Sequence, residues 1–293
     1  MKLLTYKNSN GLSPTVCIEL TKWCNLKCSY CRSSSSSSEL LSGINYEALS
    51  NYLQGLKKFG DWRISFTGGE PSYWKNFENI VELVVKLGFT FCLTTNGYSS
   101  DHILEKIPQD SWNSGTLKVS IDGNEEVHNS LRGKNAYNKT LKFLLKARKI
   151  VPKLFINSVL IVDPKQWAKD FIEDLIQISP DNWTIISPVT DGFWNNELEE
   201  LNTKNYNNQF LFIKEMSKTK GVTFPISFLD YSNWSKEAQE VVYVNSEGEI
   251  LFPQKFSKTK HVPKLKINVT NKQAPQLTYD KVSSFIQEFG YVR

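Results

Sequence analysis

The sequence predicts an α/β protein built on a parallel sheet or barrel. Short apolar runs of strand length alternate with amphipathic stretches of helix length, which is the βα rhythm. With 40% hydrophobic and 13% aromatic residues in 293, the chain can bury one large core, or a core with an appendage.

The first strand is Thr15–Thr21, where alternation places Val16, Ile18 and Leu20 on an apolar face and Cys17, Glu19 and Thr21 on a polar one. A helical pattern over Tyr46–Lys58 leads to a second strand, Trp62–Thr67, with Arg63, Ser65 and Thr67 together. Helical Asn76–Leu87 precedes strand Thr90–Thr95, and helical Asp101–Lys106 precedes strand Thr116–Ile121, where Lys118, Ser120 and Asp122 oppose Val119 and Ile121. Helix Ala136–Ile150, strand Leu154–Val162 with Asn157 facing inward, helix Pro164–Gln177 and strand Trp183–Ser187 complete six units. Right-handed crossovers put all strand C-termini on one rim, where barrels and open α/β sheets keep their chemistry. After Gly192 the rhythm stops. A helix around Thr203–Lys218, a strand at Val222–Phe228 and a hairpin over Glu240–Pro253 with a Glu-Gly turn follow. The expected division is an extension over 1–14, a barrel over 15–192, and a small C-terminal α+β appendage over 193–293 ending in a helix.

A packed barrel fills its interior with branched apolar residues. Polar residues on the inward face need partners, because burial without one costs about 1–3 kcal/mol each. They either bond one another or line a lumen that holds a polar ligand.

The cysteines favour a ligand. Cys24, Cys28 and Cys31 stand in W-C-N-L-K-C-S-Y-C, a C-x3-C-x2-C spacing with no fourth cysteine nearby. Thiolates suit iron–sulfur clusters, and three of them hold three irons of a [4Fe–4S] cube while leaving the fourth open. A structural zinc site normally closes with a fourth Cys or His; here Cys17, Cys92 and the three histidines lie elsewhere. Three tightly clustered cysteines out of five predict a reducing, cytoplasmic setting rather than a disulfide framework. The net charge of +5 is spread along the chain, and Lys142–Lys149 reads as a solvated helix face, so no nucleic-acid footprint is expected. No apolar run is long enough to span a membrane, and no signal peptide is expected from the polar start of the sequence. The serine run Ser33–Ser38 reads as a flexible connector or a mobile lid.

Further segments agree with the cysteines in order: F-T-G-G-E-P at Phe66–Pro71, L-T-T-N-G at Leu93–Gly97, S-I-D-G at Ser120–Gly123 and H-N-S-L-R-G at His128–Gly133. With them the chain resembles the radical S-adenosylmethionine (SAM) superfamily over roughly Val16–Gly192. It is most similar to the branch with the molybdenum-cofactor cyclase, the anaerobic sulfatase maturases and the peptide-modifying enzymes with auxiliary clusters. The resemblance implies a partial (β/α)6 barrel, one [4Fe–4S] cluster on Cys24, Cys28 and Cys31, and SAM on its open iron. It implies that Gly68, Gly69 and Glu70 receive the methionine amine, that Ser120 and Arg132 contact the ribose and carboxylate ends, that Tyr30 packs near the adenine, and that Asn157 lines the same pocket. A flavodoxin or ferredoxin would supply the electron for this oxidoreductase. The hairpin resembles the one that carries auxiliary clusters in relatives, but has no cysteine for one.

The expected function is SAM cleavage to a 5′-deoxyadenosyl radical that abstracts hydrogen from a small molecule in a biosynthetic pathway. A strand beginning near Thr15 leaves no room for a leader-binding domain and favours that substrate. The branch favours the alternative, a maturase that crosslinks or epimerises a ribosomal peptide. A non-catalytic iron–sulfur protein fits an open three-cysteine site poorly. Cys17, Cys92, Glu19 and Lys118 are candidates for catalysis. Free cysteine usually behaves as a small buried hydrophobe, so the two thiols read first as core and second as hydrogen donors.

Overall fold

Eight parallel strands form the body of the protein in the computed structural model, which describes residues 15–31, 33, 35, 37, 43–58, 60–188, 206–229, 241–251 and 265–266. The strands are β1 (Thr15–Thr21), β2 (Arg63–Gly68), β3 (Thr90–Thr95), β4 (Gly115–Ser120), β5 (Leu154–Val159), β6 (Asn182–Ile186), β7 (Ile226–Leu229), β8 (Val241–Val244), β9 (Glu249–Leu251) and β10 (Leu265–Lys266). The sheet runs β10-β9-β8-β1-β2-β3-β4-β5-β6-β7, with β9 and β10 antiparallel and no pairing that closes it among the described residues. Helices α1 (Tyr46–Lys57), α2 (Phe77–Lys86), α3 (Asp101–Lys106), α4 (Glu125–Arg132), α5 (Ala136–Ala147), α6 (Ala168–Ile178) and α7 (Tyr206–Thr219) supply the crossovers and later connections.

The predicted alternation sets the layers. Val16, Ile18, Ile64, Phe66, Val119 and Ile156 are wholly buried, each worth about 1.5–3 kcal/mol on burial. Their strand neighbours Cys17, Ser65, Thr67, Lys118, Ser120 and Asn157 are only half-buried on the other, polar face. Local chemistry fixes several ends. The Asn45 side chain accepts from the Ala48 amide to cap α1, and Asn124 accepts from Val127 to cap α4. Asp163 accepts from Lys165 in a single 3₁₀ turn at Pro164–Gln166, so α6 starts only at Ala168.

The structure adds to the expected elements. The parallel sheet has two strands more than six, because β7 pairs with β6 and β8 pairs with β1 at opposite edges. The hairpin expected on an appendage therefore gives its first strand to the main sheet, with Cys17 opposite Tyr243 and Ile18 opposite Val244. Strands β7 and β8, both beyond Gly192, belong to the same sheet as β1 to β6. Helix α4 is an element that the sequence spacing does not predict; it is short and largely polar, and it ends where Gly133 takes φ +120°. The extension over 1–14, residues 189–205 and the C-terminal helix lie outside the described residues, as do Ser34, Ser36 and Ser38 of the serine run.

Candidate active site

The cysteine loop leaves the end of β1 and is held by its neighbours. The Ser29 amide donates to the Leu131 carbonyl at 3.1 Å, and Asn25 donates to the Tyr98 carbonyl at 2.9 Å. Asn96, at the end of β3, donates to Asn25 Oδ1 at 2.8 Å and lies 3.7 Å from Cys24 Sγ. The Leu26 amide also points at Cys24 Sγ (3.4 Å), and the Ser35 amide at Cys31 Sγ (3.5 Å). Burial pushes the Cys24 thiol up to about 12, and burial likewise raises Cys28, against which the nearby Arg132 guanidinium acts. All three are free thiols.

The Gly68-Gly69-Glu70 turn after β2 packs directly on this loop. The Gly69 amide donates to the Thr21 carbonyl at 2.7 Å and the Glu70 amide to the Trp23 carbonyl at 2.8 Å. A Cβ on Gly68, at φ +129°, would lie 2.3 Å from Thr21 O, and one on Gly69 would lie 2.1 Å from Trp23 O. The close approach these glycines permit is thus to the chain's own cysteine loop. The Glu70 carboxylate is engaged within the chain. It is fully buried and accepts from the Ser72 hydroxyl (2.7 Å), the Thr95 hydroxyl (2.9 Å) and the Asn96 amide (2.8 Å). Burial raises its pKa, and those donors oppose the rise. Glu70 ties the end of β2 to the end of β3.

Tyr30 and Arg132 meet at Asp122, just past β4. Tyr30 donates its hydroxyl to Asp122, Arg132 donates from Nε at 2.5 Å and from Nη2 at 3.3 Å, and the Val159 amide donates at 3.0 Å. The Arg132 guanidinium also sits 5.5 Å from the centre of the Tyr30 ring. Burial alone would raise the Asp122 carboxyl, but the Arg132 charge and the hydrogen bonds hold it below the ordinary carboxylate range. His128 Nδ1 accepts from the Asp122 amide at 3.1 Å, which makes the ring neutral; burial depresses its pKa to about 3. Arg132 and Tyr30 are therefore engaged with a buried carboxylate that the motif contains but residue-by-residue reading does not select. Alternation places Asp122 on the polar face, and a buried Arg requires a partner, so that pairing is within reach of the sequence.

Ser120 and Asn157 are in register on β4 and β5, and Asn157 Oδ1 is a buried acceptor without a partner among the described residues. Lys118 shares their face two residues earlier, level with Thr94 and Phe155. Glu19 is buried, accepts from Tyr243 at 3.0 Å, and has its pKa raised by burial against the help of Tyr243 and Lys22. Cys17 and Cys92 flank Ser65 in one layer; Cys17 is half-buried and Cys92 is buried as a small core residue.

Residues 18–175 match the family described as the Radical SAM superfamily, more than half of the chain. The chain belongs to that superfamily. The chain is 29% identical over 167 residues to a GTP 3',8-cyclase of Mannheimia succiniciproducens, covering 52% of this chain and 49% of that one. It is 26% identical over 234 residues to an S-adenosylmethionine-dependent nucleotide dehydratase of Flammeovirga pacifica, covering 73% and 76%. Its fold is similar to that of Streptococcus suis SuiB bound to precursor peptide SuiA, with TM-score 0.63 at 15% identity over 89% of this chain and 64% of that one. The chain spans half or less of the length of the first curated relatives it matches.

Radical SAM enzymes use a [4Fe–4S] cluster and SAM, and the residues present fit both. The buried Cys24 and the half-buried Cys31 carry amide N–H groups aimed at sulfur, the kind of donor that tunes a cluster. A cube takes one thiolate per iron, so its ligands need not converge on a point. Among the described residues no three Cys, His, Asp or Glu side chains gather as a single ion would require. The unpartnered Asn157 Oδ1 beside Ser120 suits a ligand rich in hydroxyl and amine donors. No helix among the described residues is long and apolar enough to cross a membrane.

Proposed function

We propose that this radical SAM enzyme abstracts hydrogen from a small polar molecule held on the polar face of its sheet. The observation that carries this is the face itself: Ser65, Thr67, Thr94, Lys118, Ser120 and Asn157 stand half-buried where a packed barrel would place branched apolar side chains. Cys24, Cys28 and Cys31 would hold the cluster, while Ser120 and Asn157 would receive SAM. Gly68, Gly69 and Glu70 act by joining the cysteine loop to β2 and β3. Tyr30 and Arg132 act through Asp122, which braces the same loop from β4. When bound, the cluster and SAM supply one-electron cleavage of the sulfonium and a carbon radical that takes hydrogen from the substrate. The protein's part is orientation and exclusion of water. The two relatives are named for a GTP cyclase and a nucleotide dehydratase, and the second aligns over most of both chains, which supports a small-molecule substrate. The peptide reading draws on the fold shared with SuiB, whose structure holds its precursor peptide.

Anaerobic reconstitution should load about four irons per chain, and the triple Cys24, Cys28, Cys31→Ala variant almost none. Ser120→Ala and Asn157→Ala should weaken SAM binding with iron content intact. For the substrate, deuterated cell extract is divided into small-molecule and peptide fractions and incubated with enzyme, SAM and dithionite. Deuterium in 5′-deoxyadenosine should come from the small-molecule fraction. Transfer only from the peptide fraction would establish the maturase reading instead.

A further inference from the structure

The polar face of the sheet carries charge that the chain itself does not answer. Strands β2 to β6 contain two charged residues, Arg63 and Lys118, both cationic and both on that face, and no aspartate or glutamate. Lys118 is half-buried in mid-sheet, with Thr94 on β3 and Phe155 on β5 as its register neighbours. Among the described residues its ammonium makes no ion pair or hydrogen bond. A charge drawn partly out of water with no partner lowers stability, so its place in the fold calls for a ligand.

Lys118 ends a row of polar groups. Glu19 is in register with Thr67, Phe66 with Leu93, and Thr94 with Lys118, so Glu19, Thr67, Thr94 and Lys118 stand side by side across β1 to β4. At the other end the buried Glu19 accepts from Tyr243 through Oε2, while its Oε1 is a buried acceptor with no partner among the described residues. The row thus offers a cation, two hydroxyls and a free acceptor over about 14 Å of sheet, which is metabolite-sized once side chains reach inward. It lies two residues, about 7 Å, below Ser120, the level proposed for SAM.

We propose that Lys118 is a specificity-determining residue whose ammonium receives the carboxylate of a small acid. Hydroxyl or amine groups of the same molecule meet Thr94, Thr67 and Glu19. The proposal rests on the small-molecule reading above and names its substrate class. One ammonium balances one carboxylate. A phosphate carries about two charges, and the second cation, Arg63, stands four residues, about 13 Å, further from the rim.

The test divides the deuterated small-molecule extract by anion exchange and treats part of the retained acids with alkaline phosphatase and phosphodiesterase. With reconstituted wild-type enzyme, SAM and dithionite, the retained acids should put deuterium into 5′-deoxyadenosine whether or not they were treated. Lys118→Gln should need about tenfold or more of that fraction for half-maximal labelling, and Lys118→Arg should recover much of the loss. Binding is read separately, without reductant: the holoenzyme with SAM is ultrafiltered with the same fraction, and mass spectrometry should find acids held by the wild type and released by Lys118→Gln. Iron content, SAM affinity and thermal stability should be unchanged in Lys118→Gln, because no partner within the chain is lost. Labelling only from the unretained fraction, its abolition by the phosphatases, an unchanged requirement in Lys118→Gln, or weaker SAM binding in that variant overturns the carboxylate site while the small-molecule reading stands. Labelling only from the peptide fraction overturns that reading, and the site with it.

Discussion

At the scale of single residues, Asp122 accepts from the cysteine loop through Tyr30, from α4 through Arg132 and from the end of β5 through the Val159 amide. Its side chain is fully buried and that of Arg132 is 8% exposed, so removing one partner strands the other's charge out of water. Asp122→Ala should cost about 3–5 kcal/mol in urea unfolding, and pairing it with Arg132→Met should recover much of the loss. His128 makes a second prediction. Its folded pKa of about 3 lies below the ordinary 6.5, so the unfolded chain takes a proton that the folded one refuses. The stability it contributes is complete above pH 6.5 and is lost as pH falls from there towards 3, at about 1.4 kcal/mol per pH unit. In His128→Asn, whose amide oxygen can still accept from Asp122, unfolding between pH 6.5 and 5 should depend on pH by about one proton less. An unchanged slope would show that His128 is not held neutral.

At the scale of elements, the site is a set of strand ends pinned together. Gly68 and Gly69 lie where the β2 turn crosses the loop leaving β1, and the obstructing atoms are backbone carbonyls, which cannot rotate away. Gly69→Ala should therefore cost about 3 kcal/mol and sharply reduce iron uptake on reconstitution. Gly133→Ala is the control. That glycine has φ +120° but nothing within 4 Å of where a Cβ would stand, so only backbone strain of about 1–2 kcal/mol is expected, with iron content kept. Equal iron loss in both would show that the contact with Trp23 is unimportant.

At the scale of the molecule, the C-terminal segment is structural for the site's first strand. Val244 is wholly buried and in register with Ile18, next to Glu19 on the strand that leads into the cysteine loop. Val244→Asp should destabilise the protein by about 3 kcal/mol or more and lower iron incorporation, measured by thermal unfolding and iron assay. If the segment were a separate appendage, Val244→Asp would leave iron incorporation intact.

The sequence by itself determined the α/β class, the strands β1 to β6, the face each residue takes and the segments that gather at the rim. All of these follow from local spacing: a two-residue alternation in strands, and cysteines within eight residues of one another on one loop. Tertiary structure decided what those segments touch. Glu70 and the two glycines have as neighbours Ser72, Thr95, Asn96 and the Trp23 carbonyl, mostly far off in the chain, which no local spacing records. It also decided that β8 completes the main sheet beside β1, more than 200 residues away in sequence. A strand's pattern records that one face is buried but not which edge it joins, because backbone hydrogen bonds are the same for every partner.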